Sequence, residues 1–241
     1  MFEPITRTST STAVFDQIAS RVLDGELSAG TSLPSERRLA EAFGVSRPVV
    51  REAVQKLSQA GLIDIRHGES TSVRDFRRSA GPELLGQLLV RNGVPDWSVA
   101  RSVLEARQTI GIHIACLAAQ RATAQSAQAI RDALPPLFDS DDPVDLQVSA
   151  LTFWECVVDA ADSIAFRLIF NSLRHAYEPT MTAMATVMIA EVSRSDLYES
   201  LSAAIASHDA DAAESAAATL LGAGTAAIIA VIEDLQQHDS E

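Results

Sequence analysis

Between Ala13 and Leu27 the apolar residues Val14, Ile18, Val22 and Leu23 recur at helical spacing, an amphipathic stripe that stops at Gly25. After Gly30 and Pro34, Ser35 is positioned to cap a short helix carrying Leu39, Ala40 and Phe43, closed by Gly44. Ser46 is positioned to cap a third helix. That helix turns Val49, Val50, Ala53, Val54 and Leu57 inward and ends at Gly61, where glycine suits a left-handed residue. Leu62 to Arg66 then alternates as a strand, His67-Gly68-Glu69-Ser70 reads as a turn, and Thr71 to Val73 as a second short strand. Two helices, a turn, a third helix and a hairpin follow one another in the order of a winged helix-turn-helix.

From Arg74 to Pro82 the chain is charged and loses periodicity, which predicts a linker. Beyond it the spacing predicts helices over 83–91, 97–121, 126–137, 144–160, 164–177, 180–190, 196–207 and 211–237. Turns fall at Asp139 to Pro143, Asp162-Ser163 and His208-Asp209, and no segment alternates like a strand. The fold class is mainly α: a winged helix-turn-helix over residues 1–78, then an antiparallel six- or seven-helix bundle over 79–241. A length of 241 residues suits two domains with separate cores.

Charge sharpens this division. The net of −13 should repel phosphate. Yet residues 1–78 hold eleven Arg and Lys against ten Asp and Glu, while the remainder holds eight against twenty-two. The acidity belongs to the second half, and the first half can present a basic face to nucleic acid. Cys116 and Cys156 are far apart in apolar helices, which points to a reducing compartment and two buried thiols. The N-terminus lacks a basic-then-apolar leader pattern, so a cytoplasmic protein is expected. The uncharged stretch Ser215 to Ile232 is diluted by glycine, serine and threonine, and reads as a bundle helix rather than a membrane span, which needs about 20 mostly apolar residues.

The chemistry concentrates at the start of the third helix. Arg47 and Arg51 lie four apart on one face, and each can offer a planar fork to O6 and N7 of guanine in the major groove. Ser46 and the first backbone N–H groups can hold a phosphate, and Pro48 fits a first turn where a missing N–H costs little. Arg37 can reach a base edge or a phosphate, and His67-Gly68 stands at the wing tip, facing the minor groove.

The string Leu33 to Gly68 resembles the GntR family of bacterial regulators almost throughout. The resemblance implies DNA contacts for Arg37, Ser46, Arg47, Arg51, His67 and Gly68. Pro48 and Val49 stand where some members carry DNA-touching threonines. The helical half resembles the FadR branch, which implies an effector domain that also dimerises, so that a homodimer reads a palindromic operator on double-stranded DNA. The helix expected over 83–91 favours the seven-helix subtype.

Many members of that branch hold a divalent metal through one Asp and three His. Aligned to that pattern, Ala150, Trp154, Tyr198 and Leu220 occupy the four positions, and none is a normal ligand. No metal is therefore expected. The five histidines stand singly. The chain also resembles the fatty-acid regulators of the branch at Arg107, Asn171 and Tyr177, which implies a long-chain acyl-CoA effector held by those residues. Thr219, Gly222 and Ala226 depart from that protein's ligand residues. A different small organic effector, or a bundle that only dimerises, are the alternatives. An enzyme is not expected, because no nucleophile–base pair, phosphate loop or paired catalytic carboxylates form a motif.

Overall fold

The computed structural model describes residues 10–65, 71–91 and 94–238. The chain forms two compact units, divided between Leu84 and Leu85 rather than at Arg78.

In the first unit α1 (Thr10–Leu23), α2 (Glu36–Phe43) and α3 (Arg47–Gln59) enclose a core of Val14, Phe15, Ile18, Leu39, Val50, Ala53, Val54 and Leu57. Ser35 caps α2 by accepting from the Arg38 N–H at 3.4 Å, and Gly44 closes it in the left-handed region. Two short strands, β1 (Ile63–Asp64) and β2 (Ser72–Val73), pair antiparallel, with Ile63 opposite Val73. A third segment joins them: Val73 N–H donates to Thr31 O at 2.9 Å, and Leu33 N–H to Thr71 O at 2.8 Å. That edge carries no alternation of its own to announce it.

The stretch expected to be a linker is ordered in part. Asp75 caps α4 (Phe76–Ser79), and Ser79 Oγ donates to Gly61 O at 2.7 Å. Gly61 has φ +72°, and a Cβ there would fall 2.5 Å from Ser79 O, so the close of α3 against this turn requires glycine.

The second unit opens differently from the helix expected over 83–91. A 3₁₀ turn (Pro82–Leu84) ends the first unit, α5 (Leu85–Leu89) is short, and β3 (Val90–Arg91) pairs with β4 (Val94–Pro95). The helix ends at Leu89, where Val90 and Arg91 pair with Pro95 and Val94 instead of continuing it. Then follow α6 (Trp97–Arg121), α7 (Ala124–Asp132), α8 (Pro143–Ala160), α9 (Ile164–Tyr177), α10 (Met181–Val192), α11 (Ser195–Ala206) and α12 (Ala210–His238). Helix α7 ends early because Pro135-Pro136 cannot continue it, and those residues form a 3₁₀ turn instead. Helices α6 and α8 begin at Asp96 and Asp142, whose carboxylates accept from two backbone N–H groups each. The turns at Asp162 and His208 use positive φ, +44° and +58°.

Helix α12 packs on α6, α10 and α11 through Ala213, Ala217, Leu220, Leu221 and Ile228, all buried. It is long and apolar enough to cross a membrane by composition, and those residues are instead part of the bundle core. Alanines at 115, 118, 119, 213 and 217 let α6 and α12 lie close, which accounts for the alanine richness of this half. One apolar cluster centres on Phe153, Trp154, Tyr198 and Leu201, and a second on Leu104, Met184, Met188 and Ile228.

Candidate functional site

Helix α3 divides cleanly into two faces. Val50, Ala53, Val54 and Leu57 are buried, while Ser46, Arg47, Pro48, Arg51 and Gln55 are exposed. Arg47, Arg51 and Gln55 fall at i, i+4 and i+8, so they form one line and border a shallow recess with Pro48 and Glu52. Ser46 sits at the N-cap, but its hydroxyl makes no capping bond to the helix, which leaves it available to an anion. The Arg51 guanidinium rests against Glu36 at 3.3 and 3.4 Å, and Arg37 lies 3.7 Å from Glu41. Both contacts are at the surface, where water and salt weaken them. The line therefore presents fork-shaped donors and an amide, the side-chain types that read purine edges. Gln55, whose amide suits adenine, was not singled out in the sequence, although its spacing from Arg51 placed it there. His67 and Gly68 lie outside the described residues.

The second unit holds an apolar cavity of about 60 Å³ where its two core clusters meet, between α6, α8, α9 and α10. That is room for roughly four waters, not for a long chain without movement. Val103, Leu104, Leu151, Phe170, Leu173 and Met188 are among the apolar residues of its wall. Of the three residues that the resemblance assigns to an effector, Arg107 and Tyr177 line this cavity and Asn171 does not; the Asn171 carbonyl lies 2.7 Å from His175 Nδ1.

Arg107 closes a two-pronged ion pair with Glu191 of α10, at 2.7 and 2.6 Å. Burial alone would lower the Arg107 pKa, but the charge and hydrogen bonds of Glu191 outweigh it and hold the guanidinium above its ordinary value. Tyr177 OH donates to Gln147 Oε1, and the Gln147 amide donates to Pro143 O at 2.8 Å and Met181 O at 3.3 Å. Burial pushes the Tyr177 phenol up, partly offset by Arg107, so it stays a donor at neutral pH. Arg174 also reaches the cavity and is held by Glu155 and Glu178. Glu191 and Gln147 were missed from sequence. The signal for Glu191 was a lone carboxylate in the apolar run Thr186 to Val192.

The positions aligned with the family's metal ligands do not fit a cation. Ala150, Trp154, Tyr198 and Leu220 are all buried in the larger core cluster, and Tyr198 stacks edge-on against Phe153 at 5.1 Å. Burial raises the Tyr198 phenol well above its usual range, so it offers no anionic oxygen. Among the described residues no three His, Cys, Asp or Glu side chains gather as a metal site. His208, in the turn before α12, has its Nδ1 2.9 Å from Ala119 O. Cys116 and Cys156 are free and half-buried.

Comparison with known proteins bears on both halves. Residues 10–73 match the model of the bacterial regulatory proteins of the gntR family, and residues 102–223 match that of the FCD domain. The HTH-type transcriptional regulator Mce2R of Mycobacterium tuberculosis is 49% identical over 95% of this chain and 96% of its own length. The fatty acid metabolism regulator protein of Edwardsiella ictaluri is 34% identical over 61% of each chain. The solved structure of Lar, which controls expression of the Listeria monocytogenes agr system, shares the fold. Its TM-score is 0.60 at 15% identity, over 95% of this chain and 98% of that one.

Proposed function

The chain belongs to the GntR family of bacterial regulatory proteins and carries an FCD domain, and on that premise we propose how it reads DNA and what governs it. It acts in the cytoplasm as a homodimer on a palindromic operator, each protomer laying the N-terminal turn of α3 in the major groove. Arg47 and Arg51 contact base edges, Gln55 extends that line, and Arg37, the Ser46 hydroxyl and the helix N-terminus hold phosphates. His67 and Gly68 follow the backbone at the wing. The single observation that carries this reading is the exposed line of Arg47, Arg51 and Gln55 on a helix whose other face is wholly buried.

Operator affinity is modulated by a ligand in the cavity beside Arg107 and Tyr177, and a long-chain acyl-CoA is the effector we propose. The apolar wall suits an alkyl chain, and the likeness to a fatty acid metabolism regulator supports it. A chain of that length enters by parting α9 from the bundle. Phe170, Leu173 and Tyr177 of α9 form one wall, and Ala176 is the residue of α9 that is buried. The phosphate-bearing head stays outside. Movement of this wall changes the separation of the two recognition helices, which must match the half-site spacing.

Fluorescence anisotropy with DNA from the region upstream of its own gene tests both parts. Saturable binding to one palindromic site, weakened or strengthened by a long-chain acyl-CoA, is expected. Absence of site-selective binding would overturn the first part, and an acyl-CoA that changes nothing would overturn the second. A smaller organic effector, or a bundle that only dimerises, would then be separated by whether any ligand raises the melting temperature.

A further inference from the structure

Every formally charged side chain that lines the cavity is already engaged within the protein. Arg174 is held by Glu155 and Glu178, and the fork of Arg107 is filled by both oxygens of Glu191. Glu191 is not a surface group that happens to swing inward: its side chain is fully buried. The neighbouring helix is cut to receive it. Gly224 of α12 faces it, and a Cβ at that position would lie 2.7 Å from Glu191 Oε2, so any larger residue would collide with the carboxylate where it now sits. The neutral polar corner is likewise closed, with Tyr177 donating to Gln147 and the Gln147 amide donating to two backbone carbonyls.

We propose that Glu191 is an internal carboxylate that takes the place on Arg107 an acidic ligand would need, and that it thereby makes the cavity select uncharged alkyl ligands over carboxylates of the same length. The proposal rests on the reading of this cavity as the effector site. An arginine fork accommodates one carboxylate through two parallel bonds, and here that capacity is filled. A second carboxylate entering the cavity would give up its water, meet like charge from Glu191, and find both lining cations, Arg107 and Arg174, already paired with carboxylates. An uncharged alkyl ligand pays neither penalty and gains the burial of its chain against Leu104, Leu151, Phe170 and Met188.

The test uses the full chain and two probes of equal length, 1-octanol and octanoate, titrated at neutral pH by calorimetry, with the emission of Trp154 in the cavity wall as a second readout. Octanol should bind at least about ten-fold more tightly, a difference of about 1.4 kcal/mol. Glu191→Gln keeps an oxygen for Arg107 but removes the charge; octanoate should then gain about ten-fold while octanol shifts by less than about three-fold. Should that variant fail to fold, the native comparison still decides. Equal or tighter binding of octanoate by the native protein overturns the proposal while leaving ligand control standing, as does a folded Glu191→Gln protein with unchanged preference. Binding of neither probe overturns the reading of the cavity as an effector site, and the selectivity falls with it.

Discussion

Arg51 in the first unit and Arg107 in the second each face a glutamate, and the physics of these two pairs differs. Arg51 on α3 meets Glu36 at 3.3 Å with 64% of its side chain exposed. Arg107 on α6 grips Glu191 through two bonds, and Glu191 is 0% exposed. A surface pair contributes about 0–1 kcal/mol and is screened by salt. Arg51 can therefore leave Glu36 for a phosphate or a guanine at little cost, and the pair holds the side chain ready without binding it. The second pair is another matter, because Glu191 is wholly out of water and Arg107 only 25% exposed, so removing either member leaves a charge with little solvent to replace its partner. The Arg51 pair stays exchangeable, and the Arg107 pair is locked.

The largest expected effect tests the locked pair. Glu191→Ala leaves Arg107 without its counterion and should lower the unfolding free energy of the bundle by about 3–5 kcal/mol, read as a lower urea midpoint. A loss below about 1 kcal/mol would mean that water or another group compensates Arg107, and the contrast with Arg51 would collapse.

Next in size is the DNA face. Arg51→Ala and Arg47→Ala should each cost about 1–3 kcal/mol of operator binding, measured by anisotropy at fixed salt. Stability should stay within about 0.5 kcal/mol of the native chain, because both side chains are exposed. If the two variants lose affinity equally on unrelated DNA, the arginines contact phosphate and not base edges.

Ionic strength separates the pairs without any substitution. Raising salt should reduce operator binding steeply, since phosphate contacts release counterions, while the urea midpoint of the bundle should hardly move. A midpoint that falls with salt as surface charge pairs predict would show that Arg107 and Glu191 are wetter than their burial implies.

The two sites were not equally legible in the amino-acid sequence. The DNA face could be read because α3 is one element, and its chemistry follows from the spacing of Arg47 and Arg51 and the inward set Val50, Ala53, Val54 and Leu57. The long helices α6, α8, α9 and α12 were legible for the same reason, as periodicity is a local property. Glu191 was not, because its partner lies 84 positions away and no local rule pairs the two. Asn171 came from the resemblance to the fatty-acid regulators alone, and the cavity takes Phe170, Leu173, Arg174 and Tyr177 from α9. The pairing of β3 with β4 was hidden by its brevity, two residues in each strand, where a helix period and a strand period look alike. The third edge beside the wing, at Thr31 to Leu33, exists through backbone bonds to Thr71 and Val73, which leave no side-chain pattern.

The smallest expected effect is the sharpest test of exchangeability. Glu36→Gln removes the partner of Arg51 while leaving its helix, its cap and its neighbours in place. Glu36 lies at the start of α2, where a carboxylate also favours the helix dipole, so stability should fall by no more than about 0.5–1 kcal/mol. Operator affinity should rise about two- to three-fold, because a negative charge leaves the DNA-facing surface and Arg51 no longer exchanges one anion for another. The rise should fade as salt increases, since salt already weakens the native pair. A loss of affinity would show that Glu36 is needed to aim Arg51, and that the exposed pair, like the buried one, is part of the binding geometry.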